Sequence, residues 1–95
     1  MSVSKTQAER GEGLSDQSLT VSSTAVALTV PFGTASAMVT NGAGAVRVRW
    51  GTPTASVGHY LNPYSIIELY GDDVDDVKFI RVATDSTIHI TYFGG

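Results

Sequence analysis

The sequence predicts an all-β protein: a small antiparallel β-sandwich preceded by an extended N-terminal arm. Three observations support this prediction. Apolar and polar residues alternate in several short segments, residues typical of turns recur about every 8–12 positions, and no segment repeats its apolar residues at the spacing of an amphipathic helix. Because short strands at this spacing build both jelly rolls and immunoglobulin-like sandwiches, both strand orders remain open at this point.

The length and composition limit the protein to one small folded domain. A chain of 95 residues is too short to divide its apolar side chains between two cores, and 42% hydrophobic with 16% charged residues is typical of a folded chain. The absence of cysteine excludes disulfides and thiol chemistry. A net charge of −3 without a basic stripe argues against nucleic acid as a partner.

No apolar segment has the length that a membrane span requires, which is about 18 residues. The first residues also lack the apolar centre of a signal peptide. We therefore expect no membrane association, and we expect the protein to be made in the cytoplasm and to stay there until it is assembled.

Residues 1–17 differ in composition from the rest of the chain and are predicted to form a flexible N-terminal arm. They contain charged residues and glycines and almost no apolar side chains, whereas the β pattern covers residues 18–95. Such a segment is either a disordered terminus or an arm that becomes ordered on a neighbouring subunit. Fully extended, its 17 residues reach about 55–60 Å, far enough to contact the next subunit, with Lys5 and Arg10 as candidate contacts.

The remaining residues, 18–95, are predicted to form the β-sandwich domain. Its predicted strands are residues 19–21, 25–30, 35–40, 45–50, 64–70, 78–83 and 87–93. The clearest alternation places Val46, Val48 and Trp50 on one face of a strand and Arg47 and Arg49 on the other. This pattern is expected of a sheet with one buried and one solvated face.

Two connections are predicted to be tight turns between paired strands. Residues 41–44 (NGAG) carry a hairpin signal, because Asn and Gly tolerate a positive φ. Residues 84–86 are predicted to join the last two strands as a second pair. In contrast, residues 51–63 are rich in Gly, Pro, Thr and Ser and are predicted to be one long loop.

No combination of residues indicates an enzyme. Ser56, His59 and Asp85 supply the residue types of a catalytic triad, but such residues are common in loops and the chain lacks a Gly-x-Ser-x-Gly motif. His59 follows Gly58 at the end of the long loop, where we expect it to cap the loop by hydrogen bonds.

The acidic residues of segment 72–76 could coordinate calcium, which prefers carboxylate oxygens. The segment lacks the spacing and the central glycine of an EF-hand loop, so a solvated turn that keeps a strand edge soluble is the favoured interpretation. We therefore predict no metal and no cofactor.

The two arginines of the alternating strand are candidates for partner binding. Arg47 and Arg49 lie two positions apart, share one strand face, and could bind carboxylates of a partner. The alternative is that they pair with Glu68 across the sheet, as surface charges commonly do.

Three residues near the end of the long loop suggest a possible glycan contact. Tyr60 and Tyr64 flank Asn62, and two exposed tyrosines beside an amide could stack on a sugar and donate hydrogen bonds to it. Packing in the core or at its rim is the more frequent role of such tyrosines.

Two stretches of the sequence resemble small β-rich structural proteins of tailed bacteriophages. In residues 46–61, a strand (VRVRW) leads into a GTPTA-type loop, a Gly-His pair and then an aliphatic residue. In residues 77–93, VKFIRV is followed by IHITYF, which is similar to the closing segment of the same group. The likeness extends over residues 19–93 and leaves the N-terminal arm unassigned.

The resemblance implies a non-enzymatic virion protein. The first expectation is a head decoration, or cement, protein that binds and stabilises the major capsid protein lattice, with Arg47, Arg49, Pro53 and His59 among its contacts. A neck, tail or fibre accessory protein and a glycan- or receptor-binding module are the alternatives. Because a short β domain of low charge gains by burying its sheet edges, we also expect a trimer or a dimer.

Overall fold

Eight strands and one helical turn form the part of the chain that the computed structural model describes, residues 13–94. In chain order the elements are β1 (Gly13–Val21), β2 (Val26–Ala27), β3 (Thr34–Thr40), β4 (Val46–Trp50), β5 (His59–Leu61), β6 (Ile66–Tyr70), α1 (Asp73–Asp76), β7 (Val77–Arg81) and β8 (Ser86–Gly94). The prediction of an all-β fold is confirmed.

The strands form two antiparallel four-stranded sheets that pack into a sandwich. Sheet A has the order β1-β8-β3-β6 and sheet B the order β2-β7-β4-β5. The first strand pairs with the last, the second with the seventh, the third with the sixth and the fourth with the fifth. This is the pairing of one long hairpin rolled into two sheets, so of the two open alternatives the strand order is that of a jelly roll.

Alternation along the strands builds the core between the sheets. In β8 every second residue from Ser86 to Gly94 is buried, and in β4 Val46 and Val48 are buried while Arg47 and Arg49 point outward. The apolar residues of the core are Val21, Leu28, Ala37, Val39, Val46, Val48, Leu69, Val74, Val77, Phe79, Ile88, Ile90 and Tyr92. Burying each large aliphatic or aromatic side chain contributes about 1.5–3 kcal/mol before the entropy cost of ordering it.

The two predicted hairpins are wrong, because each of these turns passes between the sheets. Residues 41–44 join β3 of sheet A to β4 of sheet B, and residues 82–85 join β7 of sheet B to β8 of sheet A. Both β7 and β8 lie inside their sheets and pair with a strand on either side. Two interior strands whose apolar faces meet across the core cannot also pair with each other.

Asn41 is the centre of a buried hydrogen-bond network at the end of the sandwich. Its side-chain amide donates to the carbonyl oxygens of Gly44 at 2.9 Å and Asn62 at 3.0 Å, with a longer contact of 3.4 Å to Leu61. The Ser86 hydroxyl donates to the Asn41 amide oxygen at 2.9 Å. One side chain therefore joins the connections that precede β4 and β6 to the first residue of β8.

Three boundaries differ from the prediction. Residues 13–17, assigned to the arm, belong to β1 and pair with β8, while residues 1–12 and the predicted contacts Lys5 and Arg10 lie outside the described residues. The predicted strand 25–30 pairs only at Val26–Ala27, and the predicted loop 51–63 contains β5. Only residues 19–21 of β1 were predicted as a strand, because the residues before them are mostly polar and exposed and show no apolar alternation.

Candidate partner-binding site

The loop of residues 51–58 between β4 and β5 is ordered by its own hydrogen bonds. Thr54 and Val57 exchange two backbone hydrogen bonds of 3.0 and 3.2 Å, which close a tight turn at the tip. Pro53 is fully buried beneath the loop, and the Gly51 N–H donates to the Asp76 carbonyl oxygen at 3.3 Å. The loop is thus fixed to the sandwich at its beginning and at its centre.

The two arginines of β4 hold this loop against the outer face of sheet B. Arg47 donates from Nε to the Ala55 carbonyl oxygen at 2.8 Å and from Nη1 to the Gly58 carbonyl oxygen at 3.0 Å. Arg49 donates from Nη1 to the Thr52 carbonyl oxygen at 3.2 Å. These hydrogen bonds hold the loop in place. Because the acceptors are neutral carbonyl oxygens, the loop does not neutralise the positive charges of the two guanidinium groups.

Gly58, the last residue of the loop, packs closely against β4. Its φ is +134°, and a Cβ atom there would lie 3.1 Å from the Val48 carbonyl oxygen and 3.2 Å from the Arg47 Cβ. Glycine is needed for both reasons, since other residues rarely adopt this φ and would also crowd the strand.

The outer face of sheet B also carries exposed apolar side chains. The Arg47 guanidinium lies over the Tyr60 ring at 5.4 Å from its centroid, and Tyr60 remains 50% exposed. Val57, at the loop tip, is 47% exposed. We call Arg47, Arg49, Val57, Tyr60 and Lys78 the loop face, because the register places Lys78 opposite Arg49.

Charge is separated between the two sheets. Within residues 13–94, every lysine and arginine lies on a strand of sheet B, namely Arg47, Arg49, Lys78 and Arg81. The acidic residues that lie on strands, Asp16 and Glu68, both belong to sheet A. Arg81 pairs with Asp85. The protein therefore has a positive outer face on sheet B in spite of its negative net charge.

A groove opens between the edge strands of the two sheets, β5 and β6. Strand β5 pairs with β4 only over residues 46–48, so the end of β4 is left without a covering strand beside β6. The resulting cavity has a volume of about 280 Å³. Its aliphatic walls are Val48, Leu61, Ile67 and Leu69.

Trp50 stands at the rim of this cavity and defines what we call the Trp50 groove. Its ring meets His59 edge to face, with centroids 5.9 Å apart, and its indole N–H donates to Asp73 Oδ1 at 2.9 Å. The side chain is 47% exposed. Asp73 and His59 also line the groove, so an apolar interior is bordered by a carboxylate and a histidine.

The structure places the predicted partner-binding residues in different roles. Arg47 and Arg49 lie together on the loop face, but Pro53 is buried and supports the loop rather than meeting a partner. His59 lies on β5 and contacts Trp50 in the groove. The alternative pairing of the arginines with Glu68 across a sheet is wrong, because Glu68 belongs to sheet A, where it accepts a hydrogen bond from the Tyr70 hydroxyl.

The three predicted glycan contacts do not form one platform. Tyr60 is engaged by Arg47, whereas Tyr64 lies in the connection to β6, where it has a φ of +64° and is 71% exposed. The backbone carbonyl of Asn62 accepts hydrogen bonds from Asn41 and Ser65. Within the described residues the two tyrosine rings make no contact with each other.

The residue types of a catalytic triad are also separated. Ser56 lies in the loop, His59 contacts Trp50, and Asp85 pairs with Arg81. The second histidine, His89, shares a hydrogen bond of 2.9 Å with the Ser18 hydroxyl on the outer face of sheet A.

Burial raises the pKa of the Tyr92 hydroxyl in the core.

The acidic segment 72–76, for which a solvated turn was the favoured interpretation, contains the helical turn α1. Asp72 precedes its first residue, and Val74 is buried beneath it. Over residues 13–94 no group of three or more His, Asp or Glu side chains is arranged to hold a metal ion. The carboxylate of this segment with a described role is Asp73, which fixes Trp50.

Sequence reasoning missed the Trp50 groove, because its parts come from β4, β5, β6 and α1. The one available signal was a tryptophan that ends an alternating strand, directly before a loop. Alternation predicted that Trp50 would be buried. It is half exposed because β5 ends before reaching it, so β7 is its neighbour on one side of β4 and the other side is open.

Comparisons of the chain with models of known protein families, with curated proteins and with solved structures each gave no match. In the described part of the chain, no helix combines the length and the apolar character needed to cross a membrane.

Proposed function

We propose that this protein is a non-enzymatic structural component of a tailed-bacteriophage particle, a head decoration protein that binds and stabilises the major capsid protein lattice. The observation that carries the proposal is the loop face, where a fixed loop, two arginines, a lysine and exposed apolar side chains meet. The resemblance of residues 46–61 and 77–93 to phage structural proteins supplies the kind of particle. The jelly roll itself does not distinguish a capsid-binding protein from a glycan-binding one, because the same fold also occurs in lectins.

The composition of the loop face suits a protein partner. Tyrosine and arginine are enriched at protein interfaces, and an apolar centre with charged neighbours is the usual arrangement. Because the loop is ordered by hydrogen bonds to Arg47 and Arg49, binding costs little conformational entropy. A partner with an acidic surface would be attracted to the positive face of sheet B.

Binding at many equivalent sites would stabilise the lattice without any turnover. Each bound copy adds its own interface, and a ligand that binds only the assembled lattice shifts the equilibrium toward assembly. We infer a protein that is made in the host cytoplasm and is located in the virion.

Two measurements test this proposal. The first is the number of copies per purified particle of the source phage, by quantitative mass spectrometry relative to the major capsid protein. A ratio near one per capsid subunit, or per local symmetry axis, is expected. A few copies per particle would point to the neck, tail or fibre, and absence from particles would refute a virion role.

The second measurement is co-sedimentation of the protein with heads that lack it. Lys78→Glu should weaken binding about tenfold, equivalent to about 1.4 kcal/mol, and Val57→Asp should weaken it as well. Thr87→Glu is the control for position, because it introduces the same side chain on the exposed outer face of sheet A, although it changes the net charge by one unit instead of two. If Lys78→Glu and Thr87→Glu bind equally well, the loop face is not the contact.

A further inference from the structure

Phe32 projects from the tip of a tight turn in the connection from β2 to β3. Its side chain has a relative exposure of 103%, so it packs against nothing in its own copy. The Thr34 N–H and the Thr34 hydroxyl both donate to the Pro31 carbonyl oxygen, at 3.3 and 2.8 Å. We call residues 31–34 the Phe32 turn.

The backbone of the Phe32 turn is already ordered before any partner is bound. Gly33 has a φ of +87°, which is the conformation that a type II turn requires at its third residue. The phenyl ring is therefore held away from the sandwich by a closed turn. Insertion of this ring into a partner orders little more than the side chain itself, so the entropy cost is small.

The Trp50 groove has the size and the lining that a phenyl ring needs. Its volume is about 280 Å³, whereas an apolar cavity of about 150 Å³ is enough to bind benzene. The walls are aliphatic, and the half-exposed Trp50 ring at the rim can meet a second aromatic ring edge to face. We propose that Phe32 of one copy inserts into the Trp50 groove of a second copy of this chain.

The Phe32 turn and the Trp50 groove belong to opposite edges of the sandwich. Pro31 lines a cavity together with residues 15–17 of β1, and β1 is the edge strand of sheet A opposite β6, which lines the groove. One contact leaves the groove of the first copy and the turn of the second open to further copies. Such a head-to-tail contact builds a closed ring or an open chain.

The charges around the two parts of the contact are complementary. Residues 17–46 contain no charged side chain, and Lys78 lies opposite β2, from which the connection to Phe32 begins. The carboxylate of Asp16, on the neighbouring strand β1, accepts a hydrogen bond from the Thr91 hydroxyl. The groove is bordered by α1, whose four residues include three aspartates. An uncharged turn with a cation nearby can approach this acidic border without repulsion, which favours a second copy as the partner.

The contact area makes each contact weak and reversible. An aromatic side chain buries about 150–250 Å², whereas stable protein interfaces bury about 1,200–2,000 Å² in total. We therefore expect association in the range from micromolar to millimolar concentration. Closing a ring gives every copy two contacts, which strengthens the assembly.

The inference goes beyond the proposed function and does not depend on it. Phe32 is not part of the loop face. Self-association is measured without heads, and head binding is measured with loop-face variants, so either proposal can fail while the other stands.

The experiment uses the full chain and compares Phe32→Asn with Tyr64→Asn. Both variants replace an exposed aromatic residue in a connection by the same polar residue. Tyr64 is 71% exposed, and asparagine tolerates its φ of +64°. Mass is measured by light scattering and sedimentation from micromolar to millimolar concentration. Because the chain contains one tryptophan, its emission reports the groove directly.

The wild type is expected to associate with rising concentration, with a shift of Trp50 emission to shorter wavelength along the same curve. Phe32→Asn should weaken association at least tenfold and abolish the shift. Tyr64→Asn should stay within about twofold of the wild type. Near-UV circular dichroism checks that all variants are folded.

A mixing experiment tests whether the turn and the groove of one contact belong to different copies. Trp50→Ala keeps the Phe32 turn but loses the rim of its groove, whereas Phe32→Asn keeps the groove. Each variant alone should associate at least tenfold more weakly than the wild type. An equimolar mixture has one complete contact per pair, so it should form pairs near the wild-type affinity and nothing larger. The emission of the mixture comes only from Phe32→Asn and should shift.

Four results would overturn the inference. They are a monomeric wild type at millimolar concentration, equal association of Phe32→Asn and Tyr64→Asn, association without a change in Trp50 emission, and a mixture that stays monomeric although the wild type associates.

Discussion

Replacing Asn41 by alanine should remove the hydrogen-bond centre that joins two connections of the sandwich to the start of β8. The side chain is 2% exposed and takes part in three hydrogen bonds of 3.0 Å or less, two as donor and one as acceptor. Each contributes about 1 kcal/mol net, and the buried Ser86 hydroxyl loses its acceptor. The expected loss is about 3 kcal/mol of the free energy of unfolding.

This loss is large for a domain of this size. Small domains have a free energy of unfolding of about 5–15 kcal/mol, and each kcal/mol lowers the Tm by about 4–8 °C. We therefore expect a fall of Tm of about 12–24 °C. In urea, the midpoint should decrease while the m value stays constant, since the native fold is retained.

Asn62→Ala is the matched control, because the Asn62 side chain is exposed and the network uses only its backbone carbonyl. It should change stability by no more than about 0.5 kcal/mol. Ser86→Ala should cost less than Asn41→Ala, and the double variant should cost less than the sum, because the two residues share a hydrogen bond. A loss below about 1 kcal/mol for Asn41→Ala, with an unchanged m value, would refute the reasoning.

Four further substitutions probe the loop and the core. Arg47→Lys keeps the charge but not the two-pronged donor, so hydrogen exchange of the amides in residues 54–57 should accelerate about tenfold; unchanged exchange would show that the guanidinium does not hold the loop. Gly58→Ala should lower the free energy of unfolding by about 2 kcal/mol in thermal melts, because the φ there is +134° and the new Cβ would lie 3.1 Å from the Val48 carbonyl oxygen. Gly51→Ala should lower it by about 1 kcal/mol, because the φ is +108° but no described atom lies within 4 Å of the new Cβ. Burial raises the pKa of Tyr92 above its ordinary value of 10.0, so the folded state keeps a proton that the unfolded state releases. Stability should be independent of this group below pH 10 and fall as the pH rises through the raised pKa, and urea titrations of Tyr92→Phe should lack that fall.

Local alternation allowed the strands with one buried face to be predicted. In β4, the periodic valines and arginines fixed the buried and solvated faces, and only Trp50 departed from the pattern because its neighbouring strand is too short. Strand β5 was assigned to a loop, since three residues are too few for a period to be recognised.

The pairing of strands could not be read from turn residues. The Asn-Gly sequence at residues 41–42 is typical of a hairpin turn, yet φ is not positive at either position. Asn41 is there because its side chain satisfies carbonyl groups that come from distant parts of the chain. A local signal cannot distinguish an asparagine that bends the backbone from one that fills a buried polar site.

The candidate sites depend on contacts that sequence spacing does not encode. Arg47 and Arg49 were recognised from their shared face, but their acceptors are backbone carbonyls, which every residue has. The pair Trp50 and Asp73 is separated by 23 positions and by a change of sheet, so it was not predicted. Electrostatic separation between the sheets likewise became visible only with the strand order.

The position of β8 has a consequence for how the protein is made. Strand β8, residues 86–94, lies between β1 and β3, so sheet A has no interior strand until these residues have left the ribosome. Until then β1 has no neighbour in sheet A and β3 pairs only with β6, and such non-local pairings make folding slow. A chain that stops before β8 would leave β1 unpaired and would lack the core residues Ile88, Ile90 and Tyr92, so the closing of sheet A is a late step in the synthesis of this protein.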